Sequence, residues 1–172
     1  MTEVYLSLGS NIDRYRHISA ALDALAECFG ELTISSVFES EAVGFDGSNF
    51  LNLVVGVGTN QSIAELSDRL KKIEDDNGRC RSGPKFSSRT LDIDILTYGD
   101  FVGEEAGVQL PREELTKNAF VLWPMAEIAP NHVHPSKGET YAHLWADYDK
   151  QRQNLWPVDF TWQGRTVSRA AS

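Results

Sequence analysis

The sequence predicts an α+β fold, a ferredoxin-like αβα sandwich built on a mostly antiparallel central sheet. Two observations favour this fold class: the order strand-helix-strand occurs twice, and the returns between strands are of the hairpin type. A doubly wound parallel sheet would need more helices between its strands. The chain has 172 residues, of which 41% are hydrophobic and 24% charged, which suits a single domain over residues 1–172.

The first strand-helix-strand unit begins at the N-terminus. Alternating apolar residues predict a strand over 4–8. Apolar residues spaced by three or four then predict a helix, with Ser10 or Asn11 as its N-cap and Gly30 as a left-handed C-cap. A second strand is expected around 32–38.

The second unit follows a polar loop. An alternating pattern predicts a strand over 50–59, and Ser62 with Glu65 forms the capping box of a second helix. Asn and Gly at 77–78 are expected to end that helix. A third alternating segment predicts a strand over 90–98.

Patterns are weaker in the rest of the chain, where we expect a C-terminal extension from about residue 131. The expected elements there and just before it are a turn or weak strand at 103–109, short helices on both sides of Asn118, a helix over 139–151, alternation at 158–162, a hairpin turn at 163–164 and a frayed tail after Val167. The role of the extension is not predicted by any of these patterns.

Composition excludes several functional classes. The net charge of −9 would repel phosphate backbones, so nucleic acid is not an expected partner. Two cysteines exclude a disulfide scaffold, and no apolar run approaches the roughly 20 residues of a membrane span. The opening Met1-Thr2-Glu3 lacks the basic and apolar regions of a signal peptide, so we expect a cytoplasmic protein without a membrane partner.

One segment reverses the acidic average. Residues 77–91 contain no acidic residue but four basic ones, which are Arg79, Arg81, Lys85 and Arg89. The segment is therefore either a site for an anion such as phosphate or a solvated loop with scattered charge. It is not a P-loop, because proline follows Gly83 where that motif needs lysine and its backbone amides.

Asp92 and Asp94 alternate with isoleucine and leucine on the strand that follows this segment. At strand spacing the two carboxylates share a face and lie about 7 Å apart. Mg²⁺ is commonly held by one or two carboxylates together with substrate phosphates, so the pair is a candidate magnesium site. The alternative is an exposed strand face that carries two ordinary acids.

Phe50 and Asn52 point away from the leucines of their strand. An aromatic ring beside a carboxamide suits a flat heterocycle, because the ring stacks on it while the amide bonds its edge. The alternative is a second buried sheet face with one satisfied asparagine.

These features occur together in a known family. The chain resembles 6-hydroxymethyl-7,8-dihydropterin pyrophosphokinase, an enzyme of folate biosynthesis, from residue 5 to about residue 130. The blocks that carry the resemblance are 5–11 (YLSLGSN), 50–52 (FLN), 73–74 (IE), 78–81 (GRCR), 89–95 (RTLDIDI) and 119–124 (AFVLWP). The family transfers pyrophosphate from ATP to the hydroxymethyl oxygen of the pterin and releases AMP. The resemblance thus implies an enzyme with ATP as co-substrate, and we expect a monomer.

The resemblance also implies residue roles. Asp92 and Asp94 match aspartates that hold two Mg²⁺ ions, and Arg79 and Arg89 match arginines that meet the phosphates. The residues implied at the pterin are Ser40, Val43, Phe50, Asn52 and Phe120. Those expected at ATP are Glu74, Arg81, Lys85, Ile95 and Arg112, the last as the replacement for a lost family contact.

The sequence departs from the family pattern at clustered positions. Arg112 stands where a histidine is expected, Glu113 where an aromatic residue is expected, Asn118 where an arginine is common and Phe86 where a tryptophan is expected. These changes affect the nucleotide side and leave the pterin side and the aspartates intact. They keep open an alternative function, a catalytically weak or inactive paralogue that binds pterin or nucleotide in a regulatory role.

Overall fold

The computed structural model describes residues 1–41, 49–77, 91–150 and 153–170. Its helices are α1 (Arg14–Phe29), α2 (Ile63–Asp76), α3 (Glu114–Lys117), α4 (Ala119–Ile128) and α5 (Tyr141–Asp147). Its strands are β1 (Thr2–Ser10), β2 (Thr33–Ile34), β3 (Phe38–Ser40), β4 (Phe50–Thr59), β5 (Asp92–Tyr98), β6 (Gly103–Glu105), β7 (Val108–Leu110), β8 (Leu155–Pro157), β9 (Phe160–Trp162) and β10 (Arg165–Ser168).

One sheet organises the molecule. Its strands run in the order β5-β1-β4-β3-β8, and β2 also pairs with β4. All of these pairings between described strands are antiparallel. The predicted α+β class with a mostly antiparallel sheet is therefore confirmed. Strand β5 lies at one edge of this sheet and β8 at the other, so the C-terminal extension contributes an edge strand.

Helices cover both faces of the sheet. On one face α1 and α2 pack on a core that includes Leu6, Leu53 and Ile95. On the other face α4 and α5 pack on a second core that includes Val54 and Leu96. Because side chains alternate along a strand, one strand supplies both cores, and each fully buried leucine or isoleucine contributes about 1.5–3 kcal/mol. The result is the predicted αβα arrangement.

Several local predictions are confirmed. Strand β4 covers the predicted range, and the capping box of α2 is complete, with Glu65 N donating to Ser62 Oγ at 3.2 Å and Ser62 N donating to Glu65 Oε1 at 2.9 Å. The hairpin turn between β9 and β10 also forms as expected. Gln163 and Gly164 there have φ values of 50° and 76°, as a tight hairpin turn requires.

The predicted N-cap of α1 is wrong. Strand β1 continues to Ser10, whose hydroxyl donates to the carbonyl of Ile12 at 3.1 Å instead of capping the helix. The helix starts after Asp13, which has left-handed angles of φ 47° and ψ 53°. At the other end Gly30 has the expected positive φ of 81°, but its ψ of −126° is not that of the left-handed helical conformation.

Three other boundaries differ from the predictions. The strand expected at 32–38 is split into β2 and β3, and the helix expected at 139–151 covers only α5. The tail after Val167 does not fray at once, because the hydroxyl of buried Ser168 donates to the carbonyl of Val37 at 3.3 Å. Propensity and alternation do not register such long-range contacts, so the errors fall where tertiary contacts set the boundary.

The extension after residue 130 wraps around the sheet. Helix α5 lies on the second face, β8 extends the sheet, and the β9–β10 hairpin packs on the first core. Trp162 Nε1 donates to Asp23 Oδ1 at 2.8 Å, which fixes that hairpin against α1. Among the residues that the structure describes, none of the helices is both long and apolar enough to cross a membrane.

Candidate active site

Two aspartates lie side by side at the edge of the sheet. Asp92 and Asp94 are on β5, opposite Gly9 and Ser7 of β1 respectively. The residue between them, Ile93, belongs to the first core, so the two carboxylates face the other side of the strand. The prediction that they share one face is confirmed.

A third carboxylate lies beside this pair. Glu74, on α2, is only 4% exposed, and its Oε2 accepts the backbone N–H of Ile93 at 2.7 Å. An outer edge strand has backbone groups without a strand partner, and Glu74 satisfies one of them. The contact therefore joins α2 to β5 and brings a third carboxylate to the edge that carries Asp94.

Arg112 follows the β6–β7 hairpin and lies along the same edge. Its Nε donates to the carbonyl of Ile95 at 3.0 Å, and its backbone N donates to the carbonyl of Leu96 at 2.9 Å. Its Nη2 lies 3.7 Å from Oδ1 of Asp94, and the two side chains keep 29% and 39% of their surfaces exposed. The guanidinium thus has a fixed position beside one of the two aspartates.

Among the described side chains that line this edge, carboxylates outnumber cations. The pKa of Asp94 is raised to about 7, first because its carboxyl is partly withdrawn from water, although 39% of the side chain stays exposed. The charges of Asp92, Glu74 and Glu114 raise this pKa further, against the lowering effect of Arg112. A divalent cation would offset this excess of carboxylate charge, and oxygen donors of this kind suit Mg²⁺. The side chains present therefore fit the magnesium site expected from the sequence.

A cleft of about 300 Å³ opens at this edge. Helix α2 contributes Leu70, Lys71 and Glu74 to its lining, the β6–β7 hairpin contributes Gly107 and Val108, and β5 contributes its two aspartates. Arg112 and Ile95 also line it. The structure thus brings together three residues expected at ATP, namely Glu74, Ile95 and Arg112, with the candidate metal ligands.

Two of the residues expected at the pterin, Phe50 and Asn52, lie on β4, which is separated from the aspartates on β5 by strand β1. Asn52 is 5% exposed, and its Nδ2 donates to Ser40 Oγ at 2.7 Å. Phe50 is half-buried and is paired with Ser40 between β4 and β3. The sequence also allowed that Asn52 is an ordinary buried asparagine with its hydrogen bonds satisfied. That interpretation holds for its amide nitrogen, which is bonded to Ser40.

Gly9 separates the two groups of polar residues. In register, Asp92 pairs with Gly9 and Gly9 pairs with Asn52, so the three form one row across adjacent strands. A β-carbon at Gly9 would lie 3.2 Å from Asn52 Oδ1 and 3.8 Å from Cδ1 of Phe50. Since neighbouring strands are about 4.8 Å apart, the backbones of Asp92 and Asn52 are two strand spacings apart, and Gly9 places no side chain between them.

The remaining predicted residues fall into two groups. Phe120 lies half-buried in the first turn of α4 and packs against the second core. That its ring opposes Phe50 stays a prediction. Val43, Arg79, Arg81, Lys85, Arg89 and Phe86 lie outside the described residues.

Glu113 and Asn118, which depart from the family pattern, each make a polar side-chain contact in this structure. Lys117 Nζ pairs with Glu113 Oε1 one helical turn away. Oδ1 of Asn118 accepts from Nε2 of Gln153 at 2.9 Å.

The sequence patterns did not identify Gly9 or Gln153 as residues of the site. Gly9 was detectable as a gap in the side chains of one sheet face, whereas Gln153 had no local signal.

A family model described as 7,8-dihydro-6-hydroxymethylpterin-pyrophosphokinase (HPPK) matches residues 5–130. The 2-amino-4-hydroxy-6-hydroxymethyldihydropteridine pyrophosphokinase of Aquifex aeolicus is 41% identical over 137 residues, which cover 78% of this chain and 85% of the relative. The protein of the same name from Pseudomonas aeruginosa is 37% identical over 133 residues, with coverages of 74% and 81%.

A solved structure is similar over nearly the whole chain. The crystal structure of wild-type Plasmodium falciparum HPPK-DHPS aligns with a TM-score of 0.70 at 15% identity. The match covers 97% of this chain and 50% of that one, so this chain spans about half of its length. At this identity the likeness shows the fold.

Proposed function

The chain belongs to the 7,8-dihydro-6-hydroxymethylpterin-pyrophosphokinase family, and we propose that its reaction takes place along the row formed by Asp92, Gly9 and Asn52. The protein transfers a pyrophosphoryl group from ATP to 6-hydroxymethyl-7,8-dihydropterin in folate biosynthesis, and it depends on Mg-ATP. The hydroxymethyl oxygen bonds to the β-phosphorus and loses its proton. The bond from that phosphorus to the oxygen it shares with the α-phosphate breaks, and AMP leaves.

On the phosphate side, Asp92 and Asp94 would hold two Mg²⁺ ions. Bound magnesium would neutralise triphosphate charge and favour attack at the β-phosphorus. Glu74 fixes the strand between the aspartates through the N–H of Ile93, and the carbonyl of Ile95 fixes the guanidinium of Arg112. These contacts hold the carboxylates and one cation in place before the substrates bind, which lowers the cost of ordering them.

On the nucleotide side, the cleft between α2 and the β6–β7 hairpin would take ATP. Glu74, Ile95 and Arg112 line it, and Arg112 offers a guanidinium where a histidine is expected in the family. Arg79, Arg81, Lys85 and Arg89 would add positive charge at the phosphates, since the segment that contains them has no acidic residue.

On the pterin side, Asn52 would bond the edge of the ring, with Phe50 and Phe120 stacking on its faces and Ser40 and Val43 beside it. Ser40 fixes the orientation of Asn52 by accepting from its amide nitrogen. Because Gly9 has no side chain, the hydroxymethyl group would reach the phosphates above Asp92 along this row. This register relationship is the observation that carries the proposal.

The regulatory alternative gains no support from the relatives described above, which are named for the enzyme. The decisive experiment is AMP release from ATP and Mg²⁺, with and without 6-hydroxymethyl-7,8-dihydropterin. We expect AMP only when the pterin is present, and an equal release without it would contradict the proposal.

We also propose that the protein is cytoplasmic and monomeric. Light scattering after size-exclusion chromatography tests whether it is a monomer.

A further inference from the structure

The C-terminal extension reaches back to the start of helix α4. Gln153 lies just before β8, and its Oε1 accepts the backbone N–H of Ala119 at 2.7 Å. Its Nε2 donates to Asn118 Oδ1 at 2.9 Å. The side chain of Gln153 therefore contacts both the N-cap residue Asn118 and the first helical residue Ala119, which are more than thirty positions away in the sequence.

The contact replaces an ordinary helix cap. The first N–H groups of a helix have no partner within the helix, and a Ser, Thr, Asp or Asn at the N-cap normally satisfies one of them. In the described part of the chain, Asn118 occupies the N-cap but its own side chain makes no capping bond. Gln153 supplies the missing acceptor and also holds the amide of Asn118.

The residue after this contact is Phe120, which is proposed to stack on the pterin. Its ring is half-buried, so its position depends on where the first turn of α4 lies. The chain just before Gln153 is attached to the same boundary, because the hydroxyl of Tyr148 donates to the carbonyl of Lys117 at 2.6 Å. The extension therefore fixes the α3–α4 junction at two points.

The same segment is attached to the other side of the proposed pterin site. Two residues after Gln153, strand β8 pairs with β3, with Leu155 opposite Ser40. Ser40 in turn accepts the amide of Asn52. Residues 153–157 thus connect the helix that carries Phe120 with the strand that orients Asn52.

We propose that Gln153 is a positioning residue for the pterin, which sets the distance between Phe120 and the Asn52 face from the C-terminal extension. The inference rests on the proposed function, in which Phe120 and Asn52 contact the pterin. Gln153 would not contact the reacting atoms. The extension would thereby serve binding as well as packing, although it lies outside the residues 5–130 that match the family model.

The test compares Gln153→Ala with the wild type by calorimetric titration of 6-hydroxymethylpterin in the presence of Mg²⁺ and α,β-methylene-ATP. Loss of two hydrogen bonds at the helix start should weaken pterin affinity about five- to tenfold. Affinity for α,β-methylene-ATP alone should stay within about twofold, because the cleft at β5 is untouched. Asn154→Ala, at the exposed neighbouring position, is the matched control and should change neither.

Unchanged pterin affinity in Gln153→Ala, with only a lower melting temperature, would overturn the proposal and leave a structural role. An equal loss of pterin and nucleotide affinity would also overturn it. Gln153→Asn, which shortens the side chain by one methylene, is the milder variant if the alanine variant does not fold, and it should weaken pterin affinity in the same direction. Failure of the wild type to bind the pterin would instead overturn the proposed function.

Discussion

The β-carbon position of Gly9 lies 3.2 Å from Oδ1 of Asn52. This approach is tight, so a side chain at position 9 displaces the carboxamide or occupies the space next to it. The backbone itself would accept another residue, because Gly9 is not among the described glycines with positive φ. The glycine is therefore explained by the close approach of the Asn52 and Phe50 side chains and not by its backbone angles.

The first prediction concerns this space. Gly9→Val should lower pterin affinity by more than tenfold, because its methyl groups would fill the gap beside Asn52 and disturb a well-packed site. Affinity for α,β-methylene-ATP alone should change much less. Titrations of both ligands on the same sample give the comparison, and a variant that binds pterin like the wild type would show that the gap is not used.

The second prediction concerns the aspartates. Asp92→Asn and Asp94→Asn keep the shape of each side chain and remove its charge, so each should lower pterin-dependent AMP release by about a hundredfold or more through weaker magnesium binding. Asp100→Asn, an exposed acid just after β5, is the control and should retain activity. Wild-type rates in either site variant at saturating Mg²⁺ would remove the metal assignment.

The third prediction concerns stability and pH. Burial, with a smaller effect of Lys137, lowers the pKa of His134 below its ordinary value of 6.5. Nδ1 of His134 accepts the backbone N–H groups of Ser136 and Lys137, both at 3.1 Å, and protonation would remove that acceptor. The folded state therefore disfavours the charged form, so the stabilisation is fully present above pH 6.5 and is lost as the pH falls below it.

Urea unfolding of wild type and His134→Asn between pH 7.5 and pH 5 measures this effect. The carboxamide oxygen of asparagine can replace the acceptor but does not titrate, so the variant should lose less stability over that range. Ser136→Ala, at an exposed neighbour that does not titrate and whose backbone N–H is retained, should follow the wild-type pH dependence. Parallel curves for wild type and His134→Asn would contradict the assignment.

Local patterns in the sequence were sufficient for much of the fold and for part of the site. The alternation in β4 places Phe50 and Asn52 on one face of that strand, and the alternation in β5 does the same for Asp92 and Asp94. The capping box at Ser62 marks the start of α2, and each of these patterns depends only on near neighbours. These elements therefore agree with their predictions.

Other parts of the site depend on contacts between distant residues. The bond of Glu74 to Ile93 spans 19 positions, and that of Gln153 to Ala119 spans 34. No periodicity or capping motif encodes such contacts, and the α1 cap failed for a related reason, since the strand before it extended to Ser10. The resemblance supplied the role of Glu74 at ATP, but not its contact with β5.

The placement of the pterin is tested most directly by calorimetric titration of 6-hydroxymethylpterin into Asn52→Ala in the presence of Mg²⁺ and α,β-methylene-ATP. We expect a loss of about 1–3 kcal/mol in pterin binding, because polar groups of the ring lose their buried partner. Phe120→Ala should lose a comparable amount through reduced stacking and burial. Neither variant should bind the nucleotide analogue alone more weakly. Unchanged pterin affinity in both variants would contradict the placement of the pterin on this face of the sheet.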